Sequence, residues 1–163
     1  MSVVADRVKH VLDEHFVCYE TLPHVTDYTA LETSEHTHTP GNAFAKAVIL
    51  LVEHELVMAV IPAHHHVDLE SVRRYLGARH IKLAREWRIR HHFKDCDPGA
   101  IPPFGNLYGM RVLVSPVTEQ NHAITFNAGS HEMVISISYD DYRTLVRPER
   151  VPELSSPWRG GGG

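Results

Sequence analysis

Ala45-Lys46-Ala47-Val48-Ile49-Leu50-Leu51-Val52, then Glu53-His54-Glu55, then Leu56-Val57-Met58-Ala59-Val60-Ile61, is the stretch on which the fold turns. Two short apolar runs joined by three polar residues read as an antiparallel hairpin. The first run has no polar alternation, so it reads as a buried strand. Pro62 ends the second run. One cation, Lys46, stands near the start of the first. Lysine is almost never fully buried without a partner, and two readings stay open. Lys46 reaches water from a strand end, or it points into a cleft and holds an anionic or carbonyl oxygen.

Outward from the hairpin the pattern alternates irregularly. Val4, Val8, Val11 and Leu12 recur at helical spacing, so residues 3–14 are expected as an amphipathic helix. Val17-Cys18-Tyr19 reads as a short strand ending at Pro23, residues 27–36 as a helix, and residues 37–42 as a loop. Asp68 caps an expected helix over Leu69–Leu76 that Gly77 closes. A short strand over 80–84 and a helix from Glu86 to Phe93 follow. Strands are expected near 110–114, 123–127 and 132–138, the last buried on both faces, and then a helix from Asp140-Asp141 to Val146. This order is no regular βαβ alternation and favours an α+β domain with a mostly antiparallel or mixed sheet. Residues 1–150 are expected as one domain. Pro152, Pro157 and Gly160–Gly163 suggest a disordered tail over 151–163.

The chain has 163 residues, the size of one domain with one core. No apolar run reaches the ~18–20 residues of a spanning helix, so no membrane partner is expected. Residues 1–15 carry Asp6, Asp13 and Glu14 and no apolar stretch of secretory type. The two cysteines, Cys18 and Cys96, show no framework spacing, and a reducing cytoplasm is the economical reading. A formal charge of −4 argues against a general nucleic-acid binder, and no DNA partner is expected. The distribution says more. Residues 73–94 hold Arg73, Arg74, Arg79, Lys82, Arg85, Arg88, Arg90 and Lys94 against Glu86 alone, a net +7, which leaves −11 on the rest. Such a segment is either a directional patch for a phosphate backbone or a solvated arginine-rich face paired with acids elsewhere.

Further on comes Gly99-Ala100-Ile101-Pro102-Pro103-Phe104-Gly105. Two prolines and two glycines deny this apolar segment both helix and ladder. A stiff loop of this kind offers backbone N–H and C=O groups, which suits a grip on a small polar group. The plainer alternative is a connection covering one end of a core. Read together with the Lys46 strand and with Asn127-Ala128-Gly129-Ser130-His131, it resembles one family. These are the YbaK/ProX-type aminoacyl-tRNA deacylases, which include the editing domain inserted in bacterial prolyl-tRNA synthetases. The resemblance covers roughly residues 3–146, with the lysine strand, the Gly-x-x-x-Pro loop and the Gly-Ser-His turn in the family's order.

The resemblance implies a closed or nearly closed β-barrel of about six or seven strands, with helices packed outside. It also implies a trans-editing hydrolase that cleaves the ester of mischarged aminoacyl-tRNA without a protein nucleophile or cofactor, a ribose hydroxyl helping to activate the water. On that basis Lys46, Gly99, Pro103 and His131 are the catalytic candidates. Ile101, Pro102, Phe104, Gly105, Gly129 and Ser130 line the substrate, and Arg73, Arg74, Lys82, Arg85 and Arg88 meet the tRNA. The implied partners are mischarged tRNA and an aminoacyl-tRNA synthetase. Family members that remove alanine often carry Asn after the lysine; here Ala47 stands there. Tyr28 and His24 are candidates for the pocket rim. The rival reading is a non-catalytic module that binds aminoacyl-tRNA or a synthetase. Fourteen histidines invite a metal, but adjacent ligands rarely reach one ion, and His92 with Cys96 is the single defensible i,i+4 pair. No metal is therefore assigned, and Cys96 is read as a plain thiol rather than a reactive one.

Overall fold

The computed structural model describes residues 3–23 and 43–158. The expected helix at 27–36, the loop at 37–42, His24, Tyr28 and residues 159–163 lie outside the described residues. Helix α1 (Val3–Glu14) turns Val4, Ala5, Val8 and Leu12 fully inward, as its spacing requires. It does not lead directly into a strand at 17–19. Phe16 takes a left-handed φ of 56°, and Val17 N–H donates back to Leu12 O at 2.9 Å. This wrap closes the helix C-terminus, and strand β1 begins only at Glu20 (Glu20–Pro23).

The hairpin is as expected. Strand β2 (Ala45–Val52) pairs antiparallel with β3 (Glu55–Pro62), Lys46 opposite Ile61. Its turn sets Glu53 at φ 55°, and the Glu53 carboxylate accepts the backbone N–H groups of Arg79 and His80. That pinning holds the carboxyl below its usual range, and both donors belong to the backbone entering strand β5 (Ile81–Leu83). Strand β4 (His65–Val67) follows β3. Helix α2 (Leu69–Leu76) starts with Asp68 accepting Ser71 N–H at 3.1 Å and stops at Gly77, φ 65°. Helix α3 spans Glu86–His92, and one 3₁₀ turn spans Gly105–Tyr108. Then come β6 (Arg111–Val114), the single-turn helix α4 (Pro116–Glu119), β7 (Ala123–Asn127), β8 (Met133–Ser138), α5 (Tyr139–Val146), β9 (Glu149–Arg150) and β10 (Ser155–Pro157).

The strands form an antiparallel sheet β1-β8-β7, a mixed sheet β5-β2-β3-β6-β9 and a ribbon β10-β4. The mixed sheet is buried on both faces, which explains its unbroken apolar runs. On one face Ala45, Ile49, Met58 and Val60 join Phe104, Phe126 and Ile135. On the other, Leu50, Val57, Ala59 and Ile61 join Val72, Leu113, Val151 and Leu154. β8 is likewise covered on both sides, by Val134 on one and Ile135 and Ile137 on the other.

Two expectations are corrected. Among the described residues the strands do not close into one barrel. The two larger sheets meet at a single parallel bridge, Phe44 to Thr125. Beyond it β2 leaves β7, and its outer edge is taken at the far end by β5, on Leu50–Val52. Residues 151–158 are not a disordered tail. Val151 and Leu154 are fully buried, each contributing about 1.5–3 kcal/mol of apolar burial. Ser155–Pro157 pairs with β4 as an edge strand, where a proline costs no ladder bond. The packed unit thus runs past residue 150.

Candidate functional site

The site begins where the two sheets touch. Thr125 N–H donates to Ala43 O at 2.9 Å, and Ala63 N–H to Phe44 O at 2.7 Å. Two residues beyond the Phe44–Thr125 bridge in either strand stand Lys46 and Asn127, on the face that Phe44 and Thr125 share. Lys46 is half-buried, and burial pushes its ammonium below the usual lysine range. Among the described residues no carboxylate is paired with it. Asn127 is 4 % exposed and donates its carboxamide to Ser130 O at 3.4 Å.

That bond closes the turn after β7. Gly129 there has φ 91°, open to glycine and strained for other residues. Ser130 Oγ accepts Glu132 N–H at 3.0 Å, and Ser130 O accepts Met133 N–H at 3.2 Å. The turn is laced to the Gly-Pro loop through the main chain. Gly129 N–H donates to Ala100 O at 2.8 Å, and Asp97 N–H donates to Gly129 O at 2.8 Å. Gly99 has φ 78°, and a Cβ there would meet the His131 ring at 3.6 Å. His131 Nε2 donates to Pro98 O at 2.7 Å. A carbonyl can only accept, so in the neutral ring Nδ1 carries the lone pair. That Nδ1 is buried without a hydrogen-bond partner among the described residues.

The rest of the loop is set from below. Pro102, Pro103, Phe104 and Gly105 are buried, and Ile101 is half-buried. Tyr142, wholly buried, donates its hydroxyl to Pro103 O at 2.6 Å, and its ring meets Phe104 edge-on at 5.6 Å. Burial raises the Tyr142 phenol well above its usual range, so it stays a donor. At Gly105 a Cβ would come within 2.7 Å of Val112 and 3.3 Å of Met58, so only glycine lets the loop lie on the sheet. Phe104 and Gly105 therefore support the loop from within the core. Gly99 is exposed, and the half-buried His131 ring lies against it.

Beside the loop a cleft of about 240 Å³ is lined by Ile89, Phe93, Cys96, Gly99 and Ile101, with Glu86 and Arg90 also on its wall. Helix α3 is thus a neighbour of the loop. Burial pushes the Cys96 thiol up and disfavours the thiolate, outweighing the opposing contact with Tyr108 Oη, 3.7 Å from the sulfur. His92 Nδ1 lies 3.1 Å from Arg88 O within α3. Among the described residues no group of three or more His, Cys, Asp or Glu is placed to hold a metal ion, and no helix is long and apolar enough to cross a membrane.

The basic segment divides. Arg73, Arg79, His80 and Lys82 line a groove of about 570 Å³ with Glu53 and Glu70. Lys82 pairs with Leu51, at the end of β2 opposite Lys46, roughly 17 Å away along the strand at ~3.3 Å per residue. Arg73 is engaged by Glu70. Arg74 and Arg85 are exposed. Arg88 lies over the exposed Trp87 ring at 5.2 Å, on the helix beside the Gly99 cleft.

Sequence reasoning missed Asn127 and Tyr142. Asn127 stood inside the quoted turn, and its signal was a polar residue ending an apolar strand. Tyr142 gave none, because its partner is a backbone carbonyl 39 residues away.

This combination, a glycine-bearing loop and a Gly-Ser-His turn bound to each other at the seam of two sheets, defines a class. Residues 24–145 match the aminoacyl-tRNA editing domain model, and the chain belongs to that family. The proline–tRNA ligase of Staphylococcus epidermidis is 27% identical over 138 residues, covering 78% of this chain and 24% of the ligase. That of Macrococcus caseolyticus is 24% identical over 154 residues, covering 80% of this chain and 27% of the ligase. The chain thus spans about a quarter of the length of these curated relatives. A solved structure of a candidate trans-editing enzyme for prolyl-tRNA synthetase superposes with a TM-score of 0.81 at 14% identity, covering 96% of this chain and 99% of that one. At that identity the likeness concerns the fold.

Proposed function

We propose that the chain hydrolyses the ester of mischarged aminoacyl-tRNA in trans, as a proofreading partner of a synthetase in the translating cytoplasm. The observation that supports this reading is the main-chain lacing of the Gly99 loop to the Gly129 turn, at the end of the strand whose Thr125 bridges Phe44. An aminoacyl ester is already activated. Its hydrolysis needs a placed water, a stabilised oxyanion and a pocket for the wrong side chain. Lys46, half-desolvated and cationic, supplies the charge for a carbonyl or phosphate oxygen. Gly99, Ile101, Pro102 and Pro103 wall the aminoacyl group, and Gly129 and Ser130 close its other side. The buried Nδ1 lone pair of His131 suits the substrate's α-ammonium group. Water adds to the ester carbonyl, the ester C–O bond breaks, and the ribose oxygen leaves with a proton. No protein nucleophile is needed, and a vicinal ribose hydroxyl assists the water. Arg85 and Arg88, on the loop side of the basic segment, meet acceptor-stem phosphates. Arg74 and Lys82 extend that track, and Arg73 contributes less because Glu70 engages it.

The test is release of labelled amino acid from tRNAs mischarged with alanine, serine, cysteine, threonine or proline. Lys46→Ala should leave the fold intact and lower kcat/KM at least 10-fold. One charge-assisted contact is worth roughly 1.5–3 kcal/mol. Near-normal turnover by Lys46→Ala would remove Lys46 from the site. Tight tRNA binding without release from any ester would favour the non-catalytic module.

A further inference from the structure

The match to the editing domain ends at residue 145, yet the chain beyond it returns to the neighbourhood of Lys46. β10 pairs with β4, Pro157 opposite His65 and Ser156 opposite His66. Trp158 then donates its backbone N–H to His64 O at 3.1 Å. The ribbon is anchored from inside. His65 is 3 % exposed, with Nδ1 2.9 Å from Ser155 Oγ. Ser155 Oγ donates to Ser115 Oγ at 3.1 Å, and Ser115 Oγ also accepts Val117 N–H at 3.2 Å. The single Ser155 proton goes to Ser115, so His65 Nδ1–H donates to Ser155. One residue along, His66 Nε2 lies 3.2 Å from Ser156 Oγ. The His66 ring meets the Trp158 indole at a centroid distance of 4.6 Å and a tilt of 43°.

A single exposed aromatic is ordinary. Trp158 differs in being held at its backbone and against a ring while 65% of it remains exposed. Its position matters too. His64, its backbone partner, is three residues from Ile61, the residue opposite Lys46, a reach of at most about 11 Å. Electrostatically, Lys46 is near enough to disfavour protonation of His65. A fixed indole face and an ammonium on the same flank of the sheet, both beside the His64–His66 strand, match two features of a nucleotide. The ring takes the base and the cation takes the phosphate.

We propose that Trp158, backed by His66, is a stacking platform for an unpaired base at the single-stranded end of the RNA substrate. The identity of the ligand as RNA rests on the function proposed above.

The chain holds two tryptophans, so Trp87→Phe leaves Trp158 as its one indole reporter. That protein is titrated with an uncharged RNA stem-loop ending in four unpaired 3′ nucleotides, and with the same stem blunt-ended. Trp158 fluorescence should be quenched by the overhang RNA and not by the blunt stem. Trp158→Ala should weaken overhang binding on the order of 10- to 100-fold, the range for loss of one stacked base. It should leave blunt-stem binding unchanged, and Trp158→Phe should keep most of the affinity. Equal overhang affinity for Trp158→Ala and its parent overturns the proposal, as does no overhang binding by the parent or equal quenching by both RNAs. Self-association that Trp158→Ala abolishes, without an effect of RNA, would make the ribbon a contact between copies and also overturn it. Failure of the two readings is distinguishable. Overhang-dependent quenching without ester hydrolysis sinks the enzyme and keeps the platform, whereas Lys46-dependent hydrolysis with unchanged Trp158→Ala binding does the reverse.

Discussion

His65→Gln should flatten the acid side of this protein's stability curve. The His65 imidazole is buried in the β4–β10 ribbon, with His64, His66 and Lys46 near it, and its pKa falls from 6.5 to about 4. Desolvation is the largest cause, followed by the repulsion of those three groups. Between these two values the unfolded chain holds the proton and the folded chain does not. Stability is therefore lost as pH falls through the unfolded value, and the loss levels off near the folded one. With 1.36 kcal/mol per pKa unit, one such group costs about 2 kcal/mol between pH 7 and pH 5, and about 3 kcal/mol by pH 4. Glutamine does not titrate, and its amide can still donate to Ser155. The assay is urea unfolding of both proteins at pH 7, 6, 5 and 4.5, comparing the change in unfolding free energy. The variant should be the less stable at pH 7 and should lose about 2 kcal/mol less than the parent by pH 5. Parallel curves would mean that His65 takes up its proton as readily in the folded chain as in the unfolded one, and that burial in the ribbon does not hold it neutral.

Two further substitutions probe the site itself. Tyr142→Phe strips the buried donor from Pro103 O, so it should cost about 1–3 kcal/mol and lower the thermal midpoint by several degrees. A variant as stable as its parent would show that the loop does not depend on this hydroxyl. Reversing Arg85 and Arg88 to Glu should raise KM for aminoacyl-tRNA and reduce its salt dependence, by a slope of roughly 0.7–0.9 per lost phosphate contact. Hydrolysis of a minimal aminoacyl-adenosine ester should be spared; equal losses on both substrates would assign these arginines to the fold or the pocket.

What the sequence made legible and what it did not divide along a physical line. The β2–β3 hairpin, the Asp68 cap and the Gly77 stop could be read because their causes are local. Apolar runs broken by Glu53-His54-Glu55, a side-chain oxygen at a helix start and a residue free to take positive φ each act within a few positions. The order of the last two segments was misread because its cause is distant. Val151 and Leu154 fold back onto a sheet face built from residues some 40 to 100 positions earlier, and prolines that look like tail chemistry are at home on an edge strand. Barrel closure failed for a related reason. A count of strands says nothing of which edges meet, and among the described residues the two larger sheets touch through one bridge at Phe44. The candidate site falls between these cases. Its residue types were visible as a pattern, but the bonds joining Gly129 to Ala100 and Asp97 run between main-chain atoms and leave no side-chain signature. The basic segment shows the opposite error, since adjacency in sequence suggested one patch. Glu53 draws the Arg79–His80 backbone to one end of β2, while α3, which carries Arg88, sets Arg90 on the wall of the cleft beside Gly99. Charge summed along the chain therefore overstates the charge gathered beside the loop. The charge reversals belong at Arg85 and Arg88 for that reason, and Arg73, already engaged by Glu70, is the position where reversal should matter least.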